Sequence, residues 1–457
     1  MKRYLWTVAS SSLALTAIAG CVEQGDQSDA TETVAETQQA VTAIGSPLPG
    51  TDPDRFAESL ENFLANEESD EGLGPLFNER GCGNCHNLPV PGGSGAQIER
   101  RFGRFSNGSF YGYDSAPDNQ GGTLRQLFSN GTYQNGNVTC TIPVEKEPAD
   151  ANVHNVGRRS LPLFGLGLVD AMPDSFFDFL AAIEPAATRG TVLRRLSDIP
   201  DSRDPGQSLT RTRVQRFGIK NQQTNLISFA GDAYINEMGI TTQSCYHGTS
   251  LLAFAFENLP NGKAIKAGCN GGDLAPAQPA GDPNIPEFTD DAVGSCAGGR
   301  TEMQEDIDNF RFFMEHLAPP PTDTSDPIGA ALGAIVFAGA GCGDCHTALP
   351  FVTPSRPFNG VPGNFVFFPF SDFLVHDMGS LGDRIGATGD SLAATRLMRT
   401  SPLWGARFNT QLLHDGRAHS IREAVLAHDG QGKAARDRFA ALSTIEQNLL
   451  IRFVSSL

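Results

Sequence analysis

Positive charge is scarce in this chain: 34 Lys and Arg stand against 52 Asp and Glu in 457 residues, a net charge of −18 at pH 7. That balance argues against nucleic acid and anionic lipid surfaces as partners and suits a basic protein partner. Tryptophan is scarcer still, with two in the whole chain, Trp6 and Trp404. The apolar run at the N-terminus, Leu5–Ala19, is too short to span a bilayer well. It follows Lys2 and Arg3 and ends in small residues, the pattern of a secretory signal. Glycine and proline, by contrast, are plentiful at 50 and 29, which implies much irregular loop.

The signal closes on Ile18-Ala19-Gly20-Cys21. This reads as a bacterial lipoprotein box, residues 1–20 being removed and Cys21 lipidated; an ordinary cleaved signal with an incidental Cys is the alternative. Val22, rather than Asp, after the lipid site fits export to the outer membrane, so the expected location is the cell envelope, facing the periplasm. The membrane contact would be the lipid anchor alone. Residues 21–50 are rich in Thr, Glu, Gln, Ala and Ser without apolar periodicity and read as a disordered tether, about 30 Å in reach.

Two pentads carry the chemistry: Cys82-Gly83-Asn84-Cys85-His86 and Cys342-Gly343-Asp344-Cys345-His346. Cys-x-x-Cys-His is the spacing for covalent attachment of c-type haem. Cys82 and Cys85, and Cys342 and Cys345, would form thioethers with the haem vinyl groups, and His86 and His346 would be the proximal iron ligands. A thioredoxin-like pair or half a zinc site needs no His directly after both pairs. The expected cofactors are therefore two covalent haems. With Cys21 lipidated, four cysteines remain. In an oxidising compartment these suit two disulfides, Cys269 with Cys296 and Cys140 with Cys245 being the favoured pairing; free buried thiols are the alternative.

Phe77 and Phe337 each stand five residues before a pentad, and Gly81 matches Gly341, a weak internal repeat. The expected fold is mainly α, with extensive irregular loops and a few short strands, as two cytochrome-c-type units. The first, 51–318, is enlarged by a long insertion; 319–327 is a Pro-rich linker; the second is 328–457. Helical spacing starts near Pro53 and recurs over Asp174–Ile183, Met303–Leu317, a segment begun by Asp326-Pro327, Ile421–Leu426, and a last one from Ser443. Asn137–Val144 alternates like a strand.

The chain resembles the bacterial dihaem oxidoreductase family (thiol oxidoreductase-like), which is related to the dihaem cytochrome c peroxidases and MauG. The resemblance rests on Gly74-Pro75-Leu76-Phe77-Asn78, the run from Phe164 to Asp174, Arg216-Phe217-Gly218, Glu237-Met238-Gly239-Ile240-Thr241, His376-Asp377-Met378-Gly379, Pro402-Leu403-Trp404-Gly405 and Leu413-His414-Asp415-Gly416. It implies a low-spin C-terminal haem acting as electron reservoir and an N-terminal haem where peroxide is reduced. In the relatives' matching stretch the last position of Ile421–His428 is the distal ligand, so His428 is the expected sixth ligand of the C-terminal haem, with Met378 second. For the N-terminal haem His154, His247, His316, Met172 and Met238 are all conceivable, and no catalytic residue is assigned. Thr400-Ser401-Pro402 matches a segment through which the peroxidases hold calcium, making Thr400 and Pro402 candidate ligands. The first unit lacks the Trp that relays electrons in the relatives, leaving Tyr, Phe or Trp404. The Arg100-Arg101-x-x-Arg104 and Arg158-Arg159 clusters are candidate partners of haem propionates.

The expected activity is peroxide reduction, with a small cytochrome or cupredoxin as electron donor. A MauG-like or oxygenase-like oxidation of a protein or organic substrate and a non-enzymatic electron-carrying lipoprotein are the alternatives.

Overall fold

The computed structural model describes residues 43–457 except 69–72, 114–121, 136, 198–210, 241–242, 247–248 and 254–301. The signal, Cys21, most of the expected tether, His247, Cys269, Cys296 and the side chain of Cys245 lie outside the described residues. Val41–Leu457 forms one compact unit.

Residues 43–50, expected to be tether, are packed instead. Leu48 is buried, its N–H donates to the His316 carbonyl at 2.7 Å, and Pro47 pairs with Leu317. A single leucine that reaches an apolar groove can dock a polar stretch, since burying it stabilises by roughly 1.5–3 kcal/mol.

The expected helices form where caps and periodicity place them. Pro53–Leu64 starts with the Asp52 carboxylate accepting from the N–H groups of Asp54 and Arg55. It buries Phe56 and Phe63 against Phe313 of the helix Glu302–His316, at ring separations of 5.5 and 4.5 Å. Pro327–Ala340 is capped by Asp326 and ends at Gly341, whose φ of +78° turns the chain into the second pentad. Thr444–Ser456 opens with a reciprocal Ser443–Glu446 cap. The two helices pack closely because a Cβ at Gly333 would lie 2.0 Å from the Leu449 carbonyl oxygen. Asp174–Ile183 and Ile421–Leu426 have the expected bounds.

The mainly α expectation gives way to a mixed, irregular fold. Eleven helices and 16 short strands occur among the described residues. Val138–Ile142, inside the expected strand, pairs with Gly131–Asn135. Ile98–Ser106 is the centre of a sheet, antiparallel to Ser109–Tyr111, Leu124–Arg125 and Val153–Arg159. Its first hairpin turns at Asn107-Gly108, both at positive φ, the Asn-Gly chemistry that favours tight hairpins.

The two expected units share a core. Phe351, Phe365, Phe373 and Trp404 belong to the same buried cluster as Leu48, Phe164 and Phe313. A smaller cluster of Phe337, Phe439, Leu450 and Phe453 lies behind the second pentad.

Candidate functional site

Both pentads are short helical turns whose His leaves the helix, so its ring can be held independently. His346 is anchored by its Nδ1 to the Phe370 carbonyl oxygen, 2.9 Å, and His86 by its Nδ1 to that of Gly93, 3.0 Å. For His346, an Nδ1–H donating to that carbonyl leaves Nε2 as the free lone pair, the arrangement that orients an imidazole toward a metal; the His86 ring meets the Leu161 backbone as well. Burial, opposed by these hydrogen bonds, pushes each imidazole down to about 4, so both are neutral near pH 7.

In front of His346 lies a cavity of about 260 Å³ lined by Cys342, Cys345, Phe337, Leu403, Trp404 and Val425, with His428 also in its wall. His428 is anchored as His346 is, its Nδ1 lying 2.8 Å from the Ala424 carbonyl oxygen. The two ring centres are 6.5 Å apart, at 61° between planes. An imidazole nitrogen bonds a first-row metal at about 2.0 Å and lies about 1.2 Å from its ring centre, so two rings ligating one iron from opposite sides stand about 6.4 Å apart. The spacing and the apolar walls fit a haem held between His346 and His428. Met378 lines the same cavity.

A second group stands beside this pentad. His376 Nε2 is 3.0 Å from Asp372 Oδ2, and its Nδ1 is 3.6 Å from Cys345 Sγ. Although burial opposes its charge, the Asp372 carboxylate and Cys345 push His376 up to about 11. Thr400 and Pro402 line the cavity, and the Thr400 carbonyl accepts from the Ser371 hydroxyl at 2.7 Å.

Around the first pentad the chemistry differs. Burial first, then the charges of Glu237, Glu79 and Glu99, push the Cys85 thiol up. Glu99 is gripped by the Arg101 fork at 2.8 and 3.2 Å. Burial opposes its charge, but Arg101 prevails and holds Glu99 below the usual carboxylate range. Glu237 hydrogen-bonds Glu99 and receives the Asn78 side-chain amide at 2.8 Å. Burial and the Glu99 charge push it well up, so the pair keeps one proton, held on Glu237.

This acid pair was not singled out from the sequence, although Glu237 lies within one of the quoted motifs. Gly239, at φ +73°, explains that motif: a Cβ there would lie 2.6 Å from the Leu76 carbonyl oxygen. The close approach sets Glu237 on the segment before the first pentad, with the Asn78 N–H donating to the Glu237 carbonyl at 2.6 Å.

The candidate sixth ligands of the first pentad are scattered. His154 is exposed and paired with Glu147 at 3.0 Å; His316 is stacked on Phe312 with ring centres 3.9 Å apart; Met172 and Met238 are buried in the main core. The arginine clusters are largely spent: Arg101 is held by Glu99, Arg104 by Asp150 and Arg158 by Asp383. Arg159 lines the cavity before His346 but donates to Gly95, Gln411 and Ser94.

The segment from Arg159 to Pro162 joins the two sites. The Leu161 backbone meets the His86 ring, the Ser160 hydroxyl donates to the Cys85 carbonyl, and Arg159, Leu161 and Pro162 line the cavity before His346. Trp404, in that cavity's wall, packs over Gly165, where a Cβ would lie 2.7 Å from its ring.

Two anchored imidazoles after Cys-x-x-Cys, a third facing one of them across an apolar cavity, and a carboxylic acid pair beside the other are residues that fit a covalently attached haem. Residues 287–457 match the family described as "Di-haem oxidoreductase, putative peroxidase", in agreement with the resemblance read from the sequence. No curated protein matches the chain. Among solved structures, a Kuenenia stuttgartiensis hydrazine synthase pressurized with xenon is similar at 15% identity and a TM-score of 0.25, over 54% of this chain and 84% of that one.

Proposed function

We propose that this chain is an exported dihaem c-type oxidoreductase that reduces peroxide at the haem of Cys82 and Cys85, with electrons supplied through the haem of Cys342 and Cys345. The carrying observation is the 6.5 Å separation of His346 and His428, a spacing at which the two imidazoles would hold one haem between them and suit it to storing electrons. Haem, when bound, supplies the iron that peroxide meets and the electrons that reduce it. The chain's own part is to orient His86 through Gly93 and to hold a proton on Glu237 beside the first pentad. Reduction of peroxide to two waters consumes two electrons and two protons, and Glu237 is placed to supply one of the protons. The Arg159–Pro162 segment, which meets Cys85 and His86 and lines the cavity before His346, would be a short bridge between the two haems.

Low-temperature electron paramagnetic resonance on the oxidised holoprotein, with peroxide turnover against a reduced donor, tests this reading. One low-spin signal that disappears in His428→Ala, a second haem that binds ligand, and turnover are expected. Two low-spin signals that persist through part-reduction, without turnover, would make the protein an electron carrier.

We further propose a lipid anchor at Cys21, an outer-membrane location facing the periplasm, and a small cytochrome or cupredoxin as donor. Intact mass of the mature protein tests the anchor. Cys140 with Cys245 and Cys269 with Cys296 are the proposed disulfides, checked by peptide mapping without reduction. Calcium at Thr400 and Pro402 is tested by chelation, read as a change in the haem spectrum.

A further inference from the structure

Arg399 is a buried cation with unspent donors. It is 8% exposed and lines the cavity before His346. Its Nε and Nη1 have no hydrogen-bond partner among the described residues. Its backbone is fixed at the end of the strand Leu397–Arg399, paired with Val375–Asp377, and its N–H donates to the Ile219 carbonyl at 2.8 Å. The guanidinium lies 5.5 Å from the Phe373 ring centre. A buried guanidinium lacking partners is costly, and burial pushes Arg399 down to about 10, with Asp372 opposing. The other arginines of the cavity wall differ: Arg159 donates to its three partners, Arg436 to Asp437 and Arg438 to the Ala340 carbonyl.

We propose that Arg399 binds a propionate carboxylate of the haem attached at Cys342 and Cys345. The planar fork matches a carboxylate, and the cavity is otherwise walled mainly by apolar side chains, so a haem entering it brings carboxylates that need such a partner. The pair fixes the haem's rotation in the cavity and sets its potential. Reduction adds one negative charge to the haem, and a fixed cation nearby favours that state. Arg399 is thus a positioning and tuning residue, not a catalytic one.

This inference rests on the haem reading proposed above. The test uses the dihaem holoprotein, with spectroelectrochemical titration of the low-spin haem in the native protein, Arg399→Gln and Arg399→Lys. Arg399→Gln is expected to shift the reduction equilibrium about tenfold toward the oxidised form, which is about 59 mV for one electron. Arg399→Lys is expected to restore at least half of that shift. A Gln variant within twofold of the native protein, or a Lys variant as low as Gln, overturns the proposal. Where Arg399→Gln does not fold, the propionate bending modes in resonance Raman decide on Arg399→Lys: a shift supports the contact, and unmoved modes overturn it. A preparation lacking two covalent haems would fail the underlying reading, whereas two haems with an unmoved potential would fail this inference alone.

Discussion

Glu237 and Glu99 are chemically alike, and what stands beside each carboxyl makes them unlike. Arg101 grips Glu99 and keeps it ionised; Glu237, half-buried against that charge, keeps its proton. Glu237→Gln retains a donor but no transferable proton. Peroxide turnover is expected to fall about 10²- to 10⁴-fold, with the haem spectra unchanged. Native activity should decline as pH rises through the raised value of Glu237, and the Gln variant should lack that decline. Glu315 makes a stability test. Burial, opposed by Arg311 and Asn359, pushes it up to about 7. Because the folded value lies above the ordinary carboxylate value, its contribution is fully present below about pH 4.5 and is lost as pH rises through about 7. Denaturation of Glu315→Gln should therefore show a shallower loss of stability between those limits than the native protein.

At the scale of elements, the strand Val153–Arg159 is tied to the second half of the chain by one buried carboxylate. Asp383 accepts from Arg158 Nε at 2.8 Å and from Lys220 Nζ at 2.9 Å, and the side chains of Asp383 and Arg158 are 0% and 3% exposed. Burial opposes its charge, but these two cations hold Asp383 below the usual carboxylate range. Asp383→Asn strands two cations in the interior and should destabilise the holoprotein by about 3–5 kcal/mol in chemical denaturation. Gly239→Ala forces a Cβ onto the Leu76 carbonyl at positive φ. It is expected to cost more than about 1 kcal/mol and to weaken peroxide turnover together with stability, because the same close approach positions Glu237.

Across the whole molecule, the linker Pro319-Pro320-Pro321 does not separate two independent cores. Phe351, Phe373 and Trp404 complete a cluster begun by Leu48 and Phe164. A fragment of residues 319–457 would expose those aromatics, leaving it the smaller cluster around Phe439 and Leu450. Expressed alone, it should be recovered aggregated or without cooperative unfolding, as scanning calorimetry would show, whereas the full chain unfolds cooperatively. The bridge at Leu161 belongs to this scale too, since it exists only where both sites meet the same segment.

By itself the sequence determined the local chemistry: the pentads, the helix starts near Pro53, at Asp326-Pro327 and near Ser443, a strand within Asn137–Val144, and His428 as the residue to examine opposite His346. These are legible because attachment spacing, capping and hydrophobic period act over a few residues. No strand was expected around Ile98–Ser106; the local signal there is the Asn107-Gly108 pair, which the structure shows as the hairpin turn. Only the tertiary structure decided the Glu99–Glu237 pair, the unpartnered donors of Arg399 and the shared core. Proton sharing and charge burial depend on groups such as Glu99 and Glu237, or Arg158 and Asp383, that are far apart along the chain and come together when it folds.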